Sequence, residues 1–181
     1  ESLERFRLGL ALPAWDVLLA AARARKLPLE LLVEAGLVAS NEQGRQYDRF
    51  RNRLIFPIHD PQGRPIAFGG RALGDDPAKY LNSPETPLFS KSRVLYPFDL
   101  ARRAVEKSRA AIVVEGYMDA ALLHQHGFQH AVATLGTALT DAHLQLLKPI
   151  AGTIYMCFDS DDAGIRAADR AVEIALRADV D

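Results

Sequence analysis

The sequence predicts an α/β protein in which a mainly parallel sheet flanked by helices follows a smaller, mixed α+β subdomain. Three observations support this fold class. The chain has 181 residues, 49% of them hydrophobic, which is enough for a sizeable buried core. From residue 99 onward, short apolar strands alternate with helical stretches, a pattern typical of parallel sheets with helical crossovers. Before that point, alternating strands and turns predict a hairpin. We therefore expect two parts, residues 1–107 and 108–181.

Residues 1–44 are expected to be mostly helical and to serve packing. Pro13 stands where a first helix would begin, and an Ala-rich, basic stretch continues it to Lys26. Pro28 precedes a second, short helix over residues 29–35, with Gly36 as its end.

A β-hairpin is predicted over residues 54–69. Residues 54–58 and 65–69 are apolar strands, and residues 60–63 form a turn with proline second and glycine fourth. Gly69 and Gly70 follow, and then the cation Arg71. Two glycines allow another group to approach the backbone closely, but they also occur where a strand simply bends. Both interpretations remain open for this pair.

Residues 79–86 display a cation, an aromatic ring and an amide. Three prolines, at positions 77, 84 and 87, favour an extended chain here. Lys79 can contact phosphate, Tyr80 can stack on a base, and Asn82 can hydrogen-bond a sugar or base edge. Lys91 follows shortly afterwards. The alternative is an ordinary surface loop, since such loops are commonly rich in proline and charge.

The second part is predicted to alternate strands and helices. The strands are expected at residues 110–114, 130–134 and 153–158, and the helices at 99–107, 118–126, 141–147 and 162–177. Thr140 is the expected N-cap of the helix that begins at residue 141.

Carboxylates follow two of these strands. Glu115 ends the first strand, and Asp159 and Asp161 follow the third. The carboxyl ends of parallel strands meet at one edge of the sheet, so we expect these three side chains to converge. A divalent cation would relieve their mutual repulsion, and all-oxygen ligands favour Mg²⁺ or Mn²⁺. Asp119 is a weaker candidate ligand, because its place in a first helical turn explains it nearly as well. A purely structural role for all these acids is the alternative.

Composition and charge narrow the possible functions. The single Cys157 excludes an intrachain disulfide and a site with several thiolates, and we expect the five histidines to be structural or surface residues. No apolar run approaches the roughly 20 residues that span a bilayer, and no signal peptide is recognisable, so a soluble, cytoplasmic protein is expected. Residues 45–107 carry 12 basic and 7 acidic side chains, whereas 108–181 carry 5 and 10. This asymmetry predicts a basic surface for a polyanion and an acidic cluster for cations.

Two sets of motifs resemble a known family. Glu-Gly-Tyr-Met-Asp at residues 115–119, with Asp-Ser-Asp at 159–161, resembles the Toprim signature, which topoisomerases, recombination proteins, some nucleases and bacterial primases share. The stretches at residues 53–58, 68–71, 79–86, 89–91 and 95–96 resemble the catalytic, RNA-polymerising core of bacterial DnaG-type primases. The resemblance covers nearly the whole chain, and it implies a Toprim-type sheet.

The resemblance implies DNA-templated synthesis of short RNA primers for replication. Its substrates would be a single-stranded DNA template and ribonucleoside triphosphates, its product an RNA primer–DNA hybrid, and its location the bacterial cytoplasm at the replisome. Glu115, Asp159 and Asp161 match the family's catalytic and metal-binding acids, with Asp119 as the remaining acid of the motif. The residues that match the family's basic groove for template and nucleotide are Arg53, Arg71, Lys79, Tyr80, Asn82 and Lys91.

The chain also departs from the family pattern. The family's zinc module has Cys and His ligands whose spacing is missing here, so no zinc is expected in this chain. The family's helicase-binding C-terminal domain would lie beyond residue 181. We expect a fragment that is weakly active or inactive alone. A nucleic-acid or nucleotide binding module and a Toprim nuclease are the alternative functions.

Overall fold

A computed structural model describes residues 1–160 and 162–177 of the chain. The chain divides into two compact units. The first comprises Glu1–Ile58 and Pro65–Phe89, and the second comprises His59–Arg64 and the residues from Ser90 onward. The boundary predicted between residues 107 and 108 stays a prediction.

The first unit contains a four-stranded sheet, a two-stranded sheet and three short helices. Its helices are α1 (Ser2–Arg5), α2 (Val17–Ala24) and α3 (Leu29–Glu34), and its strands are β1 (Gly9–Ala11), β2 (Val38–Ser40), β3 (Gln46–Asp48), β4 (Arg53–His59), β5 (Pro65–Ala72) and β6 (Tyr80–Asn82). The larger sheet has the order β1-β4-β5-β6, and β2 pairs with β3. The predicted hairpin is therefore present as β4 and β5, joined by the turn in which the amide of Gly63 donates to the carbonyl of Asp60.

Strand β6 was not predicted as a strand. It pairs antiparallel with β5, and Gly69, Gly70 and Arg71 lie opposite Asn82, Leu81 and Tyr80. Packing inside this unit explains the second glycine of the pair, Gly70. A Cβ atom at Gly70 would lie 2.9 Å from the ring of Phe50. The close approach that the sequence left open is thus made by the protein's own side chains.

The amino-terminal end of α2 is held by a carboxylate that lies 30 residues further along the chain. Asp48, at the end of β3, is buried, and its two oxygens accept hydrogen bonds from the amides of Leu18 (2.6 Å) and Leu19 (3.0 Å). These are amides that a helix start leaves without an intrahelical acceptor. The helix therefore begins at Val17, four residues after the predicted start at Pro13.

The second unit is built on a parallel sheet of order β8-β7-β9. Its strands are β7 (Ala110–Val114), β8 (Ala131–Ala133) and β9 (Thr153–Met156), and its helices are α4 (Phe98–Ser108), α5 (Tyr117–Gln125), α6 (Asp141–Leu147) and α7 (Asp162–Arg177). Central strand β7 runs parallel to both neighbours. The predicted fold class, a parallel Toprim-like sheet with helices after an α+β subdomain, is confirmed.

Helices cover β7 with apolar side chains. Ala111 and Val113 of this strand are fully buried, together with residues from three helices: Val105, Leu144, Leu147 and Ala171. When helices cover a parallel sheet, its strands are buried and their residues are therefore almost continuously apolar. None of the described helices is both long enough and apolar enough to cross a membrane.

Candidate functional site

The carboxyl ends of β7 and β9 bring Glu115 and Asp159 together. The main-chain amide of Asp159 donates a hydrogen bond to Oε1 of Glu115, with a separation of 3.0 Å. Glu115 is half-buried and Asp159 is exposed. Because β7 and β9 are parallel neighbours, the residues that follow them emerge at the same edge of the sheet. The two predicted acids are therefore adjacent although 44 residues separate them in sequence.

The third predicted acid, Asp161, lies outside the described residues. Within residues 1–160 and 162–177, no group of three or more His, Cys, Asp or Glu side chains is arranged to hold a metal ion. The donor set at this edge nevertheless suits a hard divalent cation. Both residues offer carboxylate oxygens, and one Glu115 oxygen is already oriented by a main-chain amide. A two-carboxylate site completed by water or phosphate oxygens is the usual arrangement for Mg²⁺.

Gly164 shapes this edge of the sheet, and the sequence reasoning did not single it out. It lies buried in the first turn of α7, where a Cβ atom would be 1.9 Å from the carbonyl oxygen of Asp159. Only glycine lets the chain carrying Asp159 pack this closely on the helix. The available signal was a glycine inside a predicted helix, a position that costs stability unless packing demands it.

Asp119 has a local partner. It is exposed in the first turn of α5, and its Oδ2 accepts a hydrogen bond from the amide of Gly116 at 3.2 Å. An acid in this position stabilises a helix start through both the hydrogen bond and the helix dipole. Its role as a metal ligand stays a prediction. The neighbouring Tyr117 is buried and packs edge-to-face on Tyr96, with ring centroids 6.1 Å apart.

A strained turn after β8 also borders Glu115. Leu135 and Gly136 both have positive φ angles, 62° and 74°, and the amide of Gly136 donates to the carbonyl of Glu115 at 3.2 Å. Positive φ is unfavourable for a bulky residue such as leucine and persists only where the surroundings impose it. This turn thus fixes the main chain of Glu115 from the side opposite to β9. Sequence reasoning missed it, since no local pattern marks Leu135.

Four of the residues predicted to bind nucleic acid lie on strands β5 and β6 or directly before β6: Arg71, Lys79, Tyr80 and Asn82. Arg71 and Tyr80 occupy opposite positions in the pairing of the two strands. Tyr80 is 47% exposed, and the Lys79 ammonium lies 5.8 Å from the centroid of its ring. Asn82 contributes its carbonyl to Arg49, whose guanidinium donates to it at 3.2 Å. Arg71, Lys79 and Tyr80 therefore form a compact group with two cations and one accessible aromatic ring.

Arg53 is used inside the protein. Its side chain is only 4% exposed, and its guanidinium donates to the Asp76 carboxylate at 2.5 Å and to the Ala78 carbonyl at 2.7 Å. These contacts tie β4 to the segment that leads into Lys79. A phosphate contact by Arg53 stays a prediction.

A second cation–aromatic group was not included among the predicted site residues. The Arg51 guanidinium lies 4.0 Å from the centroid of the Trp15 ring and 5.1 Å from that of Tyr47. Trp15 is 59% exposed. An accessible indole backed by an arginine offers a stacking surface for an aromatic ligand. In the sequence, Trp15 is 32 residues from Tyr47 and 36 residues from Arg51, so no local sequence pattern reveals this group.

The predicted ligand Lys91 belongs to the second unit. It begins a single 3₁₀ turn, Lys91–Arg93, that follows the extended residue Ser90.

Comparisons with known proteins cover both units. Residues 1–102 match the family described as the N-terminal domain of the DNA primase catalytic core. Residues 112–181 match the Toprim-like family. A curated DNA primase of Pseudomonas putida is 51% identical over 172 residues, which is 94% of this chain and 26% of that protein. The chain spans between 26% and 30% of the length of curated DNA primases that it matches.

Solved structures give the same result. A DNA primase domain from Pseudomonas aeruginosa is 49% identical, with a TM-score of 0.89, and the match covers 96% of this chain and 55% of that one. A DnaG primase catalytic domain bound to single-stranded DNA is 46% identical, with a TM-score of 0.87, over 97% of this chain and 55% of that one.

Proposed function

Because the chain belongs to the DNA primase catalytic core family, we propose that it acts within an enzyme that synthesises short RNA primers on single-stranded DNA. The reaction is nucleotidyl transfer from ribonucleoside triphosphates. The observation that carries this proposal is the adjacency of Glu115 and Asp159 at the carboxyl ends of β7 and β9. In open α/β sheets that edge is the usual place for a ligand.

Glu115, Asp159 and Asp161 are proposed to hold Mg²⁺ or Mn²⁺, with Asp119 as a further, outer acid. The fit rests on the oxygen-only donor set and on the close packing at Gly164 that fixes the main chain of Asp159. A divalent cation bound there would neutralise developing charge on the phosphates and lower the pKa of a bound hydroxyl. The chain's own part is to orient these carboxylates. The Asp159 amide donates to the Glu115 carboxylate, and the Gly136 amide holds the main-chain carbonyl of Glu115.

The DNA template and the nucleotide are proposed to bind through the basic, aromatic and amide side chains predicted from the sequence. Lys79, Arg71 and Lys91 would contact phosphates, while Tyr80 stacks on a base and Asn82 hydrogen-bonds a sugar or base edge. The exposed ring of Tyr80 beside the Lys79 ammonium supports this assignment. A related catalytic domain whose structure was solved with single-stranded DNA supports the choice of template.

For the whole protein, the family relationship supports three further proposals. The product is an RNA primer–DNA hybrid, the partner is the replicative helicase, and the work is done in the bacterial cytoplasm at the replisome.

The test is primer synthesis by the whole protein on single-stranded DNA with ribonucleoside triphosphates and either Mg²⁺ or Mn²⁺. Glu115→Gln should abolish synthesis and leave DNA binding intact, because it removes a negative charge at the metal and not a phosphate contact. Glu106→Gln is the matched control, since Glu106 forms a surface pair with Arg102 at 3.1 Å, away from the proposed site. Full synthesis by the Glu115→Gln variant would refute the assignment. Metal-dependent DNA cleavage without ribonucleotide incorporation would instead identify a nuclease.

A further inference from the structure

The amino-terminal end of α6 holds the turn that carries Lys91. Two side chains of this helix start, Thr140 and His143, donate hydrogen bonds to two successive main-chain carbonyls, those of Ser92 and Lys91. About fifty residues separate the donors from the acceptors. Contacts at this distance are tertiary, so they fix the turn relative to the sheet that carries Glu115.

His143 is fully buried and both of its ring nitrogens are engaged. Nε2 lies 2.9 Å from the Lys91 carbonyl, to which it donates, and Nδ1 lies 3.3 Å from the Thr140 amide, from which it accepts. These two partners require the neutral ring with its hydrogen on Nε2. Burial lowers the pKa of His143 from its ordinary value, which agrees with a neutral ring.

Thr140 links the cap of α6 to the same turn. Its Oγ1 accepts a hydrogen bond from the amide of His143 at 3.2 Å, which confirms the predicted N-cap. The same hydroxyl donates to the Ser92 carbonyl at 2.6 Å. A hydroxyl can do both at once, whereas an aspartate in this position could only accept.

The turn held in this way displays two cations. Lys91 is half-buried and Arg93 is exposed, and both belong to the single 3₁₀ turn Lys91–Arg93. A 3₁₀ segment of three residues has poor hydrogen-bond geometry and little stability of its own. Its position must therefore come from tertiary contacts, and those of Thr140 and His143 lie directly on its first two residues.

We propose that Lys91 and Arg93 form a phosphate-binding turn for the nucleic acid and that His143 and Thr140 are its positioning residues. The inference rests on the proposed function for the role of Lys91. It adds Arg93 as a second phosphate contact, and it adds His143 and Thr140 as the residues that hold the Lys91–Arg93 turn in position. A phosphate contact needs a cation held at a defined place, because ordering a free lysine on binding consumes part of the interaction free energy.

The test measures binding of a fluorescein-labelled single-stranded DNA 20-mer to the whole protein by anisotropy over a range of KCl concentrations. Each lost phosphate contact reduces the slope of log affinity against log salt by about 0.7 for single strands. Lys91→Ala and Arg93→Ala should each show this reduction. His143→Asn keeps an acceptor for the Thr140 amide but loses the donor to Lys91, and it should lower both affinity and slope. His143→Gln places its amide nitrogen near the position of Nε2, and it should restore both.

Combining the substitutions shows whether His143 acts by positioning the turn or whether its loss damages the protein in general. Once Lys91 and Arg93 are both alanine, His143→Asn should weaken binding no further, because the ring acts through that turn. A second pair, Thr140→Ser and Thr140→Val, repeats the comparison with the hydroxyl kept and removed. Thermal unfolding midpoints measured without DNA show whether each variant is folded.

The possible failures are distinguishable. If the wild-type protein binds no DNA and makes no primer, the proposed function is wrong and this inference falls with it. If the wild-type protein binds DNA, the inference alone is overturned in either of two cases. One is that Lys91→Ala and Arg93→Ala leave the salt slope unchanged. The other is that folded His143→Asn and Thr140→Val proteins bind as the wild type does.

Discussion

Replacing Gly164 by alanine should displace Asp159 and weaken metal binding at the proposed site. The added methyl carbon would lie 1.9 Å from the carbonyl oxygen of Asp159 and 2.8 Å from its carbonyl carbon. Carbon atoms in ordinary contact with other heavy atoms stay near 3.4 Å or beyond, so the chain at Asp159 or the first turn of α7 must shift by about 1.5 Å. Both contacting atoms belong to the main chain, so a side-chain rotation cannot relieve the overlap.

The expected effect is large because carboxylate placement decides both affinity and rate. Losing a group that orients a metal ligand typically lowers metal affinity about 10- to 100-fold. A misplacement of about 1 Å in a reacting group can cost about 100-fold in rate. We therefore expect Gly164→Ala to weaken Mn²⁺ binding at least about 10-fold and to reduce primer synthesis by about 100-fold.

The assay combines isothermal titration of Mn²⁺ with primer synthesis by the whole protein. Gly152→Ala is the matched control, since a Cβ atom there would meet only the Arg109 carbonyl at an ordinary 3.7 Å. Thermal unfolding shows whether each variant is folded. If folded Gly164→Ala binds Mn²⁺ and makes primers as Gly152→Ala does, the reasoning from this contact is refuted.

Three further predictions concern other parts of the chain. Asp48→Ala should lower the free energy of unfolding by at least about 2 kcal/mol in urea titrations, because the hydrogen bonds from two main-chain amides to a buried carboxylate are lost; a change under about 0.5 kcal/mol would contradict the capping role. Tyr80→Ala should weaken single-stranded DNA binding about 5- to 160-fold, the range for one stacked base, whereas Tyr80→Phe should bind normally; equal binding by both would exclude stacking. The pKa of His143 is lowered in the folded protein from its ordinary value of 6.5. As the pH falls through 6.5, the unfolded chain therefore binds more protons at this residue than the folded protein does, and the contribution of His143 to stability falls. Unfolding curves should show wild-type stability falling more steeply than that of His143→Gln between pH 7 and pH 5, and parallel curves would contradict this.

The parallel sheet could be predicted because its signals are local. Strands β7 and β9 are mainly apolar runs followed within three residues by an acid, and α6 begins after a threonine that caps it. The pairing of Glu115 with Asp159 followed from topology alone, since parallel neighbours share an edge. The family motifs then pointed to the same residues.

What the sequence could not predict depends on contacts between distant residues. Asp48 caps a helix from 30 positions away, and Arg53 finds Asp76 23 positions away. Arg49, Arg51 and Arg53 alternate in the chain, and nothing local says that Arg53 is the one turned inward. Strand β6 has only three residues between proline-rich segments, so only its pairing with β5 defines it as a strand.

The proposed divalent metal site at the ends of β7 and β9 is tested most directly by a Mn²⁺ titration followed by electron paramagnetic resonance. Free Mn²⁺ gives a strong signal that binding suppresses, so the bound fraction can be read at each concentration. We predict saturable binding by the wild-type protein, and binding weakened at least about 10-fold in Glu115→Gln and in Asp159→Asn, while Glu106→Gln binds normally. Equal Mn²⁺ binding by all four proteins would contradict the site.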